Sequence, residues 1–279
     1  MTTTAVLITG TSSGIGRATA LRLAAHPELT VYATARRPES LADLAAAGAR
    51  TLALDVTDEQ SMSDAVKTIE TEHGSVGVLV NNAGYGAYGT VEETGLDAVR
   101  RQFETNVFGL ARMSQLVLPG MRAAGRGRIV NVGSMGGRLV FPAGGYYHAS
   151  KYAVEALTDA LRFEVAPFGI KVSLIEPGLI RTGFGDTAAH TLADSAAPTG
   201  PYDSLNEAAD RQMAQSYRSK LLSAPPEAVA EVIEHAATGA HPRIRYVVTP
   251  AAKLLVHSRR LLGARFFDAY LRRQFNSAA

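Results

Sequence analysis

Cysteine is absent from the 279 residues, which excludes disulfides, thiolate nucleophiles and Cys-ligated zinc or iron–sulfur centres. That absence fits a reducing compartment, and a cytoplasmic location is expected. Met1 to Ala5 lacks a basic stretch followed by an apolar run, so no signal peptide is expected. No run approaches the ~20 apolar residues needed to cross a bilayer. Charged residues are scarce at 19% and hydrophobic residues make up 46%, so a sizeable core can be buried and global disorder is excluded. Formal net charge is only +2, but it is uneven. In residues 250–279, the basic Lys253, Arg259, Arg260, Arg265, Arg272 and Arg273 stand against Asp268 alone. This tail is +5, which leaves −3 on the other 249 residues and argues against a nucleic-acid footprint there. The seven histidines are scattered, none paired at ligand spacing beside carboxylates, so no metal site is expected.

What is present is alternation. Val6-Leu7-Ile8, Val31-Tyr32-Ala33, Thr51-Leu52-Ala53-Leu54, Val78-Leu79-Val80, Ile129-Val130-Asn131-Val132 and Val172-Ser173-Leu174-Ile175 read as strands covered on both faces. A seventh is expected at Arg245-Tyr246-Val247-Val248. Helical patterns lie around 14–25, 39–47, 58–73, 96–123 and 147–167. Alternating β and α with short connections predicts an α/β fold, a three-layer, doubly wound parallel sheet of about seven strands, in a single domain over 1–279. The pattern breaks between Thr182 and Ala224, a stretch rich in small residues with Pro198, Gly200 and Pro201 at its centre. A short helix near 203–221 is expected there, and a segment of this length at about 183–224 suits a substrate lid.

Thr9-Gly10-Thr11-Ser12-Ser13-Gly14-Ile15-Gly16 follows the first strand and opens the first helix. Such a turn lets backbone approach a pyrophosphate, and the helix N-terminus offers free N–H groups and a favourable dipole. The same residues contain Gly10-x-Ser12-x-Gly14, the pattern of a hydrolase nucleophile elbow, with His235, His241 and His257 as candidate bases. A serine hydrolase is therefore the rival reading. Against it, Ser12 leaves almost no upstream chain to build an oxyanion hole. A dinucleotide sensor without turnover is a third reading.

Tyr147 and Lys151 stand four apart on a helical pattern and so share a face, whereas Tyr146 is displaced around the helix. An unperturbed phenol titrates near ~10, and a lysine ammonium beside it favours the phenolate, as general acid–base work at neutral pH requires. Ser134 lies just past a strand, at the carboxyl edge where open α/β sheets bind ligands. Asn106 occupies a mid-helix position that disfavours asparagine.

Together these motifs resemble the short-chain dehydrogenases/reductases from Ala5 to about Thr182. The likeness rests on Thr9–Gly16, Asp55-Val56, Asn81-Asn82-Ala83-Gly84, Asn106, Ser134, Tyr147-x-x-x-Lys151 and Pro177-Gly178-x-Ile180-x-Thr182, in order and in strand context. The resemblance implies a Rossmann fold and hydride transfer between a nicotinamide and a secondary alcohol or ketone. It implies that Tyr147 exchanges the proton, Lys151 lowers its pKa and holds the nicotinamide ribose, Ser134 polarises the carbonyl and Asn106 anchors a water. Asp55 and Val56 would bind adenine. Asn82, Ala83 and Gly84 would shape room for the cofactor, and Pro177, Gly178, Ile180 and Thr182 would cover the nicotinamide. Residues 31–36, the stretch around Asn106 and the C-terminal extension look most like the hydroxysteroid and retinol dehydrogenase branch.

Where an NAD enzyme presents an acid after the second strand, this chain has Ala35-Arg36-Arg37. Arg36 offers a permanently charged fork for a 2′-phosphate and Ser12 a hydroxyl donor, so NADP(H) is expected over NAD(H), which stays possible. Phe184, Leu192, Tyr202, Met213 and Tyr217 suggest an apolar substrate pocket. At helical spacing Leu255, Leu262, Phe266 and Tyr270 share a face of the extension at about 250–279, and Gly263 divides it into two short helices. The expected role of that face is packing on the domain or at a subunit interface of a homo-oligomer, a dimer or tetramer. Contact with a membrane surface is the less favoured alternative.

Overall fold

A computed structural model describes residues 3–195 and 200–275; Pro198 lies outside them. Seven strands form one parallel sheet: β1 (Thr4–Ile8), β2 (Leu29–Ala35), β3 (Arg50–Ala53), β4 (Val78–Asn81), β5 (Gly127–Val132), β6 (Ile170–Glu176) and, at the far edge, β9 (Arg245–Val247). Their order is β3-β2-β1-β4-β5-β6-β9. Val6 pairs with Val31 on one side and Val78 on the other, so β1 sits beside the point where the strand order reverses. A parallel sheet opens a crevice at the carboxyl ends of the strands there.

Successive side chains of a strand face opposite ways, and the core divides accordingly. Val6 and Ile8 pack with Leu23 of α1 (Gly14–Ala24), Leu44 of α2 (Ala42–Ala46) and Val229 and Ile233 of α9 (Pro226–Thr238). Leu7 and Leu79 face the other layer, with Ile69 of α3 (Glu59–His73), Met113 and Val117 of α5 (Leu110–Ala123) and Val165 of α6 (Gly145–Val165). The doubly wound sheet expected from sequence is therefore the observed one. Sequence periodicity assigned nothing to 225–244, yet α9 lies there and completes the layer over α1.

The expected helix over 96–123 is interrupted. It begins as α4 (Leu96–Phe103), widens into a π-helical turn over Glu104–Gly109 and resumes as α5. The wider turn directs Asn106 inward, where its amide is bonded on both ends. Among the described residues the stretch after Thr182 holds two helices rather than the one expected, α7 (Phe184–Ser195) and α8 (Asp203–Arg218), and is anchored at its ends by a two-stranded pairing of β7 (Leu179–Ile180) with β8 (Ser223–Ala224). The extension is α10 (Pro250–Phe275), two helices meeting at Gly263, whose φ of 76° only glycine adopts freely.

Candidate functional site

A cleft of about 1050 Å³ opens at the carboxyl ends of the central strands. One end is built from the glycine-rich turn. Gly10 and Gly14 take φ of 71° and 55°, and a Cβ at Gly10 would lie 2.9 Å from the Cα of Ala83. A Cβ at Gly16 would run into the Gly10 carbonyl oxygen and the Asn82 amide. Close approach of three chain segments thus requires glycine. The Asn82 Nδ2 donates to the carbonyls of Thr9 and Gly10, while Thr9 Oγ1 accepts from the N–H groups of Asn82 and Ala83. These bonds lock the loop after β4 onto the turn after β1. Ser13 precedes α1 without a side-chain cap, so the first N–H groups of that helix remain available to an anion.

Ser12, Ser13, Gly14, Ile15 and Arg36 line this end, and Ala35 is buried beside Arg36 at the close of β2. Asp55 and Val56 line it as well. Asp55 Oδ1 accepts from the N–H and hydroxyl of Thr57, which leaves Oδ2 unengaged among the described residues. Across the cleft, Thr182 packs against Gly14, and Pro177, Gly178 and Ile180 line the wall. The cradle fits an adenine dinucleotide: it is closed to side chains where pyrophosphate must approach, and it offers free backbone donors at a helix N-terminus.

The other end holds Ser134, Tyr147 and Lys151. Ser134 is fixed by two ties between strand ends, Gly133 N–H to Ile175 O and Met135 N–H to Pro177 O, both 2.8 Å. Its Oγ accepts from Gly136 N–H at 2.9 Å, which leaves its own proton to donate. Tyr147 is buried, and desolvation pushes its phenol up to about 12, with the Ser134 hydroxyl pulling the other way. Lys151 donates to Val132 O at 3.0 Å, and burial lowers its ammonium to about 8. Tyr146, by contrast, turns its hydroxyl to Val91 O.

Asn106 stands behind the cleft, not in it. Its Oδ1 accepts from Tyr85 N–H, and its Nδ2 donates to Tyr85 O and Ser150 Oγ. That consumes both amide protons. Its Oδ1 also sets the limit at Gly84, where a Cβ would lie 3.0 Å away.

Of the proposed apolar residues, Phe184, Met213 and Tyr217 line the cleft. Leu192 is buried between α7 and α8 against Ala209, and Tyr202 is at the surface with its hydroxyl on Glu92. Sequence reasoning missed Tyr88 and His148. Tyr88 stacks on Tyr147 with ring centroids 5.5 Å apart. His148 sits edge-on to both rings, and its Nδ1 lies 3.0 Å from Gly136 O, which fixes that nitrogen as the protonated one. The available signals were an aromatic–glycine loop over 85–89 and a histidine adjoining Tyr147. Phe275 was missed as well; with Leu255 and Tyr270, expected only on a packing face, it brings the extension into the cleft wall.

Ser12 has no base. Among the described residues His148 is the one histidine lining the cleft, while His235, His241 and His257 do not reach it.

The family model for short chain dehydrogenase matches residues 4–193. The chain belongs to that family. It is accordingly an oxidoreductase of the nicotinamide-dependent kind, acting on a small molecule. A 3-ketodihydrosphingosine reductase from Bacteroides thetaiotaomicron is 45% identical over 182 residues, which are 65% of this chain and 65% of that protein. This chain thus spans just under two thirds of that relative. Human 17-beta-hydroxysteroid dehydrogenase type 1 is 37% identical over 89% of this chain and 78% of its own length. Among solved structures, a short-chain dehydrogenase from Streptomyces avermitilis superposes with a TM-score of 0.80 at 34% identity, covering 98% of this chain and 96% of that one. A Burkholderia phymatum short chain dehydrogenase/reductase in complex with NAD gives 0.79 at 30% identity, covering 92% and 93%. ElxO with NADP bound gives 0.74 at 27% identity, covering 90% and 99%.

Proposed function

We propose that the chain interconverts an apolar ketone and its secondary alcohol with NADP(H) as the preferred cofactor. The observation that carries this reading is the single cleft with a dinucleotide cradle at one end and Ser134, Tyr147 and Lys151 at the other. When bound, the nicotinamide would supply or accept the hydride. Tyr147 would give its phenolic proton to the carbonyl oxygen, or take it from the alcohol in the reverse direction. Ser134, with its proton free, would donate to the same oxygen and hold it against Tyr147. Lys151 has two ammonium protons beyond the one on Val132 O, enough to hold ribose hydroxyls, and its charge would favour the phenolate against the burial that raises the phenol. Asn106 would act from behind, by fixing Tyr85 and the Ser150 turn of α6.

Cradle residues would divide the cofactor between them. Gly10, Ser13, Gly14, Ile15 and Gly16 would receive the pyrophosphate at the start of α1, and Asp55 and Val56 the adenine. Asn82, Ala83 and Gly84 would bound the central ribose, and Pro177, Gly178, Ile180 and Thr182 the nicotinamide. Arg36 and Ser12 would take the 2′-phosphate. No acid stands at Ala35 to favour a bare 2′-hydroxyl. Solved neighbours hold NAD in one case and NADP in another, so the cofactor preference rests on this chain's own residues. Support for an apolar substrate comes from Tyr88, Phe141, Phe184, Met213 and Tyr217 in the cleft wall. Relatives named for a keto reductase and a hydroxysteroid dehydrogenase agree with it.

The test is the oxidation of NADPH and NADH by the purified protein with a panel of apolar ketones. A preference for NADPH is expected. Ala35→Asp with Arg36→Leu should weaken NADPH by about 10- to 100-fold, the worth of a charge-assisted contact, and improve NADH. Equal use of both cofactors by the unaltered protein would remove the NADP assignment.

A further inference from the structure

The helix α10 has two apolar faces. Its inner face buries Val256 and Phe267, with Leu255, Tyr270 and Leu271, against Leu139. Its outer face leaves Leu254 69%, Leu261 80%, Leu262 56% and Phe266 50% exposed. Lys253, Arg260 and Arg265 are exposed among them. A second segment repeats the pattern: in the turn after α8, Leu221 is 85% exposed between exposed Lys220 and the cleft-lining Leu222. Both segments border the same cleft, which α10 lines with Leu255 and α8 with Met213 and Tyr217.

We propose that this rim docks on an anionic lipid surface, with the mouth of the cleft toward the bilayer. Exposed leucines interleaved with cations are the pattern of an interfacial helix, whose apolar side chains enter the headgroup boundary while basic ones meet anionic lipid. The charge distribution favours the same orientation: the segment that carries this face is +5 against −3 on the rest, and its exposed Lys253, Arg260 and Arg265 draw it to a negative surface. A second copy is a poorer occupant. A twofold contact sets a patch against itself, and here it would set one net-basic patch against another. Insertion across the bilayer is not what the rim offers, since among the described residues no helix is long and apolar enough to span it. The apolar-substrate reading supplies a purpose for the docking, but the docking stands or falls separately.

The experiment is co-sedimentation of the full chain with phosphatidylcholine vesicles, with and without phosphatidylserine, at low and high salt. Binding is expected with phosphatidylserine at low salt and should fall in high salt. Arg260→Ala with Arg265→Ala should weaken it about 25-fold, taking about fivefold per cation removed. Leu254→Ser with Leu261→Ser should also weaken it. Circular dichroism and NADPH binding keep these variants comparable with the parent, and neither pair lines the cleft. Equal binding to both vesicle types would overturn the proposal, as would no binding by the folded chain at low salt. A chain that ignores vesicles but forms a dimer abolished by Leu254→Ser with Leu261→Ser would assign the face to a second copy instead.

Discussion

Tyr147 and His148 are neighbours in the chain with opposite burdens. Tyr147 keeps its proton because burial raises its phenol to about 12, so removal of the hydroxyl should leave packing intact and stop proton exchange. Tyr147→Phe is expected to lose at least ~100-fold in turnover, the low end for general acid–base catalysis, with NADPH affinity unchanged in a fluorescence titration. Tyr146→Phe, which loses only a contact with Val91 O, should remain active. His148 is buried neutral, with desolvation lowering it from 6.5 to about 4. An unfolded chain therefore binds a proton that the folded one refuses between those values. Stability from this residue is complete above pH 6.5 and is lost as pH falls toward 4, by up to about 3 kcal/mol. Urea melts of parent and His148→Phe between pH 4 and 7 should show a shallower pH slope in the variant. Equal slopes would remove His148 as the source.

At the scale of elements, β9 is joined to the sheet by a charge cluster. Arg245 bonds Glu155 and, at 2.6 Å, Asp159, both on α6, and reaches Glu176 at the end of β6 at 3.3 Å. Arg138, in the loop after Ser134, lies 3.5 Å from Glu176. Burial, with the neighbouring Glu176 carboxyl, pushes Glu155 above the usual carboxylate range. Arg245 thus ties the elements that carry Lys151 and Pro177, and Arg138 brings the loop after Ser134 to the same Glu176 carboxyl. Arg245→Met should destabilise the fold by about 3–5 kcal/mol, because it strands partly or wholly buried carboxylates. Chemical denaturation reads this directly. A midpoint like the parent's would mean that the carboxyls simply protonate without penalty.

For the whole molecule, the substrate end of the cleft is assembled from distant chain. Tyr88, Phe184, Tyr217 and Tyr270 meet there although they span 183 positions from first to last. Phe267 holds α10 in place, buried against Phe141 and Tyr270. Phe267→Ala should cost about 3–5 kcal/mol of stability. It should also raise KM for an apolar ketone while leaving that for NADPH unchanged, since the cradle lies at the other end. Steady-state kinetics with each substrate varied in turn checks this split. Parallel rises in both KM values would show that α10 supports the whole fold rather than the substrate end.

The sheet was legible in the sequence because buried parallel strands are apolar on both faces and write short continuous runs, as at Val6–Ile8 and Val78–Val80. The glycine-rich turn was legible too, since its demands are local: glycine where neighbouring segments touch, at Gly10, Gly14 and Gly16. Tertiary structure decided the rest. Periodicity reports that a face is buried, not what covers it. Leu255, Leu262, Phe266 and Tyr270 share a face only on a straight helix. At Gly263 the chain departs from helical geometry, so Phe267 turns inward while Leu262 and Phe266 face out. Asn106 shows the same limit. Its place mid-helix marks it as unusual, but its bonds to Tyr85 and Ser150, residues 21 and 44 positions away, exist only once the helices pack.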